Sequence, residues 1–585
     1  MNKISLVIIV IVMFSTGAGA SDLIAIEKID SLPIIPAANP HSDLKYYPTP
    51  PGFTTDSPGI RVGETQYDMQ SIGSTGRRIG LDIQGGVHFT WMKGIGDSFP
   101  PSQRSVYFNY VDNMDNWLVP EEGQNISQYN GDGFPQLSLT SDDHSGIAYD
   151  SPGTNYIVYA EDNFPGMGIF SYFDPPDTVE RQSINPYVYI NPYLTVDRND
   201  FIHIVSGRNP ESAGAPFAIA YTRSTDAGNT WTSLRSVDIL TTPSYIVTSS
   251  KVSDKVAIVY TKPTDYSTQW KNDVIYIESE DGLTWNWRHD RINITEYGQN
   301  GDSLFAYTDI DAVYDYNDNL HIVWNALYVG ERNIYYPVYL YHYGNDAVNL
   351  IAESDLPEMD CKVGAWNLPI CKMSMSARQY NNYLYVVYTG FQSYDCSSEG
   401  YSNGDLYYQY SVDDGSSWTE PYNMTDSQSP GCEPGECDSD NWASISELVA
   451  DNILRVVYIN DKSPGAVPFN EGSITDNPVL FLEYFIWWLS GVDKTIFPES
   501  FSLAQNYPNP FNATTTIEFE LFEDSEVRLA VYDITGALVE VLNDGYLESG
   551  KQSIAWNAED LPSGAYFYRL ATAEGSQIRK MVLLK

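Results

Sequence analysis

Basic residues are scarce in this chain. Its 585 residues hold 32 Lys and Arg against 77 Asp and Glu, for a formal net charge of −45. That balance excludes a nucleic-acid binder, because phosphate contacts need clustered cations. It also excludes docking on anionic lipid. Histidine is rarer still, with seven copies, and they are dispersed. Neither a His-Glu-x-x-His metal motif nor a Gly-x-Ser-x-Gly nucleophile turn occurs. No apolar run beyond the N-terminus reaches eighteen residues, so no membrane-spanning helix is expected. The longest, at 479–489, is broken by Glu483. Helical periodicity is nearly missing.

Cysteine is also sparse. Cys361, Cys371, Cys396, Cys432 and Cys437 all fall in one stretch. In an exported chain these residues read as disulfide partners. Five is an odd number, so at least one thiol stays free or pairs elsewhere. The spacings match no tight zinc pair.

What is present first is an address. Lys3, an apolar run at 4–14 and the small residues Ala18, Gly19 and Ala20 form a signal peptide over 1–20. The mature chain is expected to begin at Ser21. Residues 21–59 are Pro-rich and read as an arm or linker.

From 60 to 490 the sequence repeats. Apolar strands ending in aromatic or small residues recur at 87–91, 145–149, 202–206, 256–260, 321–324, 385–388 and 455–458. Each follows an alternating strand and a polar turn, and a third strand often comes next. About sixty residues per unit suits a four-stranded sheet, and such sheets stacked radially make a β-propeller. The expected fold is all-β: a seven-bladed propeller, with six blades as the alternative, followed by an Ig-like β-sandwich. Residues 63–72 are expected to supply the outer strand that closes the ring. His203 and His321 sit inside apolar strands and read as satisfied core groups.

Three turns share one pattern. They are Ser224-x-Asp226-x-Gly228-x-x-Trp231, Ser279-x-Asp281-Gly282-x-x-Trp285 and Ser411-x-Asp413-x-Gly415-x-x-Trp418. The Asp can accept the turn's own amides, Gly permits a positive φ, and Trp wedges between sheets. These turns resemble the Asp-box (BNR repeat) of sialidase-like propellers, where the box is structural. The second copy lacks one residue between Asp281 and Gly282, which leaves its geometry open.

Strand parity places these turns and the polar hairpins at 197–200 and 315–319 on one face. The acidic hairpins lack the full ligand run of a calcium loop. No cofactor is expected; structural calcium stays open as an alternative. The opposite face takes the second-to-third loops and the connections between blades. It collects Lys93, Arg181, Arg208, Lys262, Arg291, Arg332 and Lys462, with Trp91, Trp270, Trp324, Phe391 and Tyr394. Arginine binds carboxylates bidentately and flat rings stack on planar partners. This face is the expected ligand surface, for a glycan or other extracellular polymer. The bland reading is a solvated loop surface.

The sialidase resemblance does not extend to a catalytic set. Its Arg-Ile-Pro segment has Arg78-Ile79-Gly80 as the nearest match, without the Pro. Binding or adhesion is therefore expected ahead of catalysis, with a sialidase-like exo-glycoside hydrolase as the alternative.

The tail, 499–585, follows a short linker at 491–498. It contains Tyr507-Pro508-Asn509-Pro510-Phe511-Asn512, then Leu561-Pro-Ser-Gly564-Ala-Tyr566, and ends with Lys580 and an apolar run. This segment resembles the C-terminal sorting domain of type IX (Por) secretion cargo. The resemblance implies a periplasmic passage, handling by the type IX machinery, and release or display at the outer surface.

Overall fold

The computed structural model describes residues 57–95, 103–113, 116–152, 156–179, 187–208, 217–264, 271–287, 289–297, 304–329, 334–354, 361–379, 381–449, 453–486, 501–522, 524–532, 538–559, 561–572 and 575–585. The signal peptide, the arm up to residue 56 and the linker at 491–498 lie outside them. The chain divides into two compact units, one ending at Phe485 and one starting at Ile486.

The first unit is a β-propeller built from antiparallel meanders. Ile79–Leu81, Val87–Ile95, Gln103–Val111 and Gln124–Asn125 form one four-stranded sheet. Gly133–Leu139, Ser145–Asp150, Ile157–Asp162 and Phe170–Phe173 form the next, and Ile190–Val196, Ile202–Arg208, Phe217–Ser224 and Arg235–Thr241 another. The strands from Tyr245–Ser249 to Ala347–Glu353 form one longer sheet, in which the single pair Asn272–Ala306 links two meanders. Ile370–Arg378, Leu384–Cys396, Ser402–Ser411 and Tyr422–Asn423 follow, with Leu448–Val449 beside the first of them.

The last sheet closes the ring. Ser439–Ile445, Ile453–Asp461 and Asn477–Phe485 take Ile60–Thr65 as their outer strand. The closing strand is thus shorter and earlier than 63–72. Val62, at a bulge in this strand, and Thr65 are both fully buried. Beyond Thr65 the chain turns inward instead of pairing. Gln70 is buried there and exchanges hydrogen bonds with the backbone of Met92.

Second strands are covered on both faces, so they read as continuous apolar runs. Val256, Ala257, Ile258, Val259 and Tyr260 are all fully buried. Neighbouring sheets interlock through such rows. Val205, Ile219 and Tyr221 pack with Val247, Ile258 and Ile277, and on to Ile310 and Trp324. Truncating a buried ring such as Trp324 to Ala costs about 3–5 kcal/mol.

The second unit has two sheets over a shared core. One holds Phe501–Leu503, Thr514–Leu521 and Gly550–Asn557; the other holds Ser525–Tyr532, Leu538–Leu547, Gly564–Thr572 and Gly575–Leu583. In Thr514–Leu521 the burial alternates along the strand, with Ile517, Phe519 and Leu521 inside and Glu518 exposed. Trp556, Tyr568 and Met581 complete that core.

Candidate functional site

The connection between the closing strand and the first sheet fills the start of the propeller axis. Residues 67–71, Ser74, Thr75 and Arg78 are all buried. The Tyr193 hydroxyl donates to the Ser74 carbonyl, and Ser444 donates to Gly76 at 3.0 Å. Arg77 Nη1 donates to the Ile445 carbonyl at 3.1 Å, and its Nη2 lies 3.5 Å from Asp311. Arg78 donates to the Trp442 carbonyl, and burial pulls its pKa down to about 9. These partners stand in the middle and at the far ends of the innermost strands. The Arg78-Ile79 segment is therefore a buried seam of the ring, not a ligand clamp.

Below this plug an axial cavity of about 210 Å³ remains. Its floor is Gly76, Arg77 and Asp311. Its walls are mostly apolar, including Ile79, Leu137, Leu194 and Ile246. Its mouth is made by hairpin residues such as Ile83, Asp143, Arg198, Lys251 and Tyr316. The described opening thus lies toward the hairpin face, opposite the expected one.

Each carboxylate bordering this cavity is engaged by the protein. Asp197 accepts the amides of Asn199 and Phe201 at 2.8 and 2.9 Å, and His203 Nε2 at 3.1 Å. Asp315 accepts the amides of Asn317 and Asn319 at 2.9 and 2.8 Å and faces His321 at 3.3 Å. Burial alone would push both carboxyls up. The imidazole and amide bonds outweigh it and hold both below the ordinary value. Asp311 accepts the Met375 amide at 2.6 Å, yet burial leaves its pKa raised. Asp143 takes the Ile83 amide, and Glu447 faces Lys251 at 3.3 Å.

The three Asp-Gly-Trp turns behave as two plus one. In the first, Gly228 N–H donates to Ser224 Oγ at 2.9 Å, Thr230 N–H donates to Asp226 at 2.8 Å, and the Trp231 indole closes on the Gly228 carbonyl at 2.9 Å. The third repeats this with Gly415, Ser411, Ser417, Asp413 and Trp418. Ala227 and Asp414 take the same positive φ just before each glycine. The middle turn departs. Ser279 Oγ turns to the Thr284 carbonyl at 2.7 Å, while Asp281 takes the amides of Leu283 and Thr284. One missing residue moves the hydroxyl to a different partner.

The expected ligand residues scatter. Arg181, Trp270 and Arg332 lie outside the described residues. Trp324 is fully buried and Phe391 is 3% exposed, so both are packing groups and neither meets a ligand. Trp91 is fully buried as well. Their strands run on as two-sided core rows, which alternation alone does not reveal. Lys262 reaches Asp238 at 2.7 Å, and Arg291 stands 3.7 Å from the same carboxylate. Lys462 pairs with Asp438 at 2.6 Å, and Lys93 with Glu64 at 2.8 Å. Arg208 ends a second strand and is partly exposed. Tyr394 is 43% exposed and accepts from Gln428 at 3.3 Å.

Two disulfides fasten this side of the ring. Cys361 bonds Cys396, and Cys432 bonds Cys437. Cys371 is the free thiol; it is buried, and burial pushes its pKa up to about 12. Among the described residues no group of three or more His, Cys, Asp and Glu is arranged to hold a metal ion. Among them, too, no helix is long and apolar enough to cross a membrane.

Sequence reasoning missed a set of repeated caps. Asp273 is bound by Asn293, by the Thr295 hydroxyl at 3.0 Å and by the Tyr297 amide at 2.6 Å. Asp405 is bound in the same way by Asn423, Thr425 and Ser427. The shared signal was Asn-x-Thr followed two residues later by the amide that also binds the Asp.

In the tail, the Pro-rich opening is tied to the last strand of the domain. The Phe511 amide donates to Val582 at 2.9 Å, and the Leu584 amide donates back to Phe511 at 2.8 Å. Asn509 accepts the Val582 amide at 2.9 Å. The bonds before Pro508 and Pro510 are both cis. Phe511 is buried beside Trp556, whereas Tyr507 is 81% exposed. Thr514 N–H donates to Asn512 at 2.8 Å, and Tyr566 donates to Pro562 at 2.9 Å. Gly564 and Lys580 lie on neighbouring strands of one sheet.

Comparison with known proteins bears on this tail. Residues 505–584 match the secretion system C-terminal sorting domain, Por_Secre_tail. No curated protein matches the chain. Several solved structures resemble it distantly. The polysaccharide lyase PL25-ulvanlyase is 12% identical, with a TM-score of 0.44 over 74% of this chain and 95% of that one. A fungal alcohol oxidase of the AA5 family is 12% identical, with 0.38 over 87% and 98%. A Hadza microbial sialidase is 9% identical, with 0.35 over 66% and 73%. The tail is a type IX sorting domain, and the chain is a β-propeller protein exported to the cell surface or secreted.

Proposed function

We propose that this exported propeller is a binding or adhesion module for extracellular glycans. One observation carries binding over hydrolysis: the carboxylates around the axial cavity are already engaged by His203, His321, Arg77, Lys251 or backbone amides. A glycoside hydrolase of the two-carboxyl kind needs both groups free to exchange protons or attack, and one with a tyrosine nucleophile still needs a free carboxyl to handle the proton. The described cations argue the same way, since Lys262 and Arg291 converge on the protein's own Asp238.

In this reading the ring spans 60–490 and has seven blades, the last completed by Ile60–Thr65. Three of its turns are Asp-boxes that fix blade edges. The tail is an Ig-like sandwich that hands the propeller to the type IX machinery. A signal peptide at 1–20 precedes it. Structural calcium has no argued site here.

A glycan array and a fluorogenic sialoside assay on the secreted chain test this reading. The expected result is retention of at least one extracellular polysaccharide with no release of fluorophore. Turnover of the sialoside, or failure to retain any polymer, overturns it.

A further inference from the structure

The shortened Asp-Gly-Trp turn leaves its tryptophan in a different state from its two counterparts. Trp231 and Trp418 donate their indole N–H back to their own turn glycines. Each then meets a neighbouring ring edge-on, Tyr159 at 5.9 Å or His342 at 5.3 Å. Trp285 makes no such bond back to its turn; its indole N–H faces the Tyr221 hydroxyl instead. It lies flat on Trp287, with centroids 4.7 Å apart and an interplanar angle of 5°. Both indoles are half-buried and pack on Tyr221 at 5.0 and 5.5 Å.

The sheet behind them adds positive charge. Tyr221 pairs directly with Arg235 across Phe217–Ser224 and Arg235–Thr241. Directly opposed residues project on the same face, as do residues two apart on one strand. Arg235 and Arg223 therefore stand on the face that carries Tyr221 and the two indoles. Arg223 Nη1 reaches across to the Leu283 carbonyl at 2.7 Å, while its Nε finds no partner. Arg235 is exposed, and among the described residues neither arginine sits in a salt bridge. In a chain with 77 acids and 32 cations, two guanidiniums without a carboxylate partner among the described residues are a local exception.

We propose that Trp285, Trp287, Arg223 and Arg235 form a binding site for an anionic polysaccharide, one bearing uronate or sulfate groups. The indoles offer a flat apolar platform for a sugar ring. The guanidiniums offer bidentate donors for its carboxylate or sulfate. Asp281, four residues before Trp285, accepts the Thr284 and Leu283 amides, which bring its pKa to about 2, and it forms no salt bridge with either arginine among the described residues. The chain's overall negative charge opposes a polyanion only within a Debye length of about 8 Å at physiological salt, so local cations decide. The site rests on the glycan-binding reading and gives it a place and a ligand class.

The test is affinity electrophoresis of the full chain in gels containing polygalacturonate, dextran sulfate or neutral dextran. The acidic polymers are expected to retard the wild type and neutral dextran to leave it unmoved. Trp287→Ala should weaken that retardation at least about tenfold, and Arg235→Gln about threefold to tenfold. Arg235 is exposed, so Arg235→Gln should keep the wild-type melting temperature even if Trp287→Ala does not. Retardation by the acidic polymers that survives both substitutions overturns this site while leaving the binding reading intact. Retardation by neutral dextran alone overturns the anionic class. A wild type that no polymer retards overturns the site and the binding reading together.

Discussion

Asp197 Oδ2 lies 3.1 Å from His203 Nε2, six residues further along the chain. The same step recurs at Asp82 and His88, 3.4 Å apart, and at Asp315 and His321, 3.3 Å apart. Each aspartate also accepts two amides of its own hairpin, so the pair fastens the turn to the second strand.

The Asp197–His203 pair makes the fold sensitive to acid. His203 is held below its ordinary value of 6.5, chiefly by burial, which disfavours the imidazolium. The unfolded chain therefore binds the proton first, and stability falls as pH drops below about 6.5. Asp197, with its lowered pKa, adds stability above 3.8 that is lost as pH falls through its folded value. Asp197→Ala should cost about 1–3 kcal/mol at neutral pH, because it leaves the buried His203 N–H and the two hairpin amides without their acceptor. Thermal melts across pH check this; an unchanged melting temperature at pH 7 contradicts it.

Asp440 should act in the opposite sense. It is fully buried, and burial raises its pKa to about 7. The folded state holds its proton, so stability declines as pH rises from 3.8 toward about 7 and then levels. Asp440→Asn keeps acceptors for Asn460 and removes the charge. It should stabilise the chain by up to about 4 kcal/mol at pH 8 and by little at pH 4. Equal effects at both pH values would refute the buried-charge account.

The two kinds of turn differ in tolerance. A Cβ on Gly415 would stand 1.9 Å from His342 Cε1, at a φ of +82°. On Gly282 it would stand 3.1 Å from Val256, at +61°. Gly415→Ala should cost about 3 kcal/mol and Gly282→Ala about 1 kcal/mol. Chemical denaturation of both variants ranks them; the reverse order would show that the turns are not distinguished by packing.

Thiol counting tests the cysteine assignment. The folded chain should show no reactive thiol, the denatured chain one, and the reduced denatured chain five. Removing the Cys361–Cys396 bond should cost about 3–4 kcal/mol through loop entropy. Two reactive thiols in the denatured, unreduced chain would break the pairing.

Export should depend on the tail's last strand. Deleting 582–585 removes the bonds that hold Phe511 and Asn509. Cells carrying that truncation should retain the propeller in the periplasm. Normal release of the truncated chain, measured by fractionation, would overturn the dependence.

Much of this molecule was legible one residue at a time. The strand repeat from 87 to 458 and the sorting motif at 507–512 are local patterns, each readable from a few neighbouring residues. The core placement of His203 and His321 was readable from apolar flanks, although their Asp partners were not singled out. What failed was facing. Trp324 and Phe391 sit on strands covered from both sides, and a covered strand has no alternation to mark which ring reaches solvent. The closing strand lies at 60–65 and not 63–72 because Ile60 to Thr65 pair with residues 477–481, around a bulge at Val62, and beyond Thr65 the chain turns inward. The axial plug, the engaged carboxylates and the indole pair were settled by contacts between residues tens to hundreds of positions apart. Composition and spacing determine which elements form and where the chain is sent. Only packing of one sheet on the next decides which charges are neutralised inside and which groups stay free to meet a ligand.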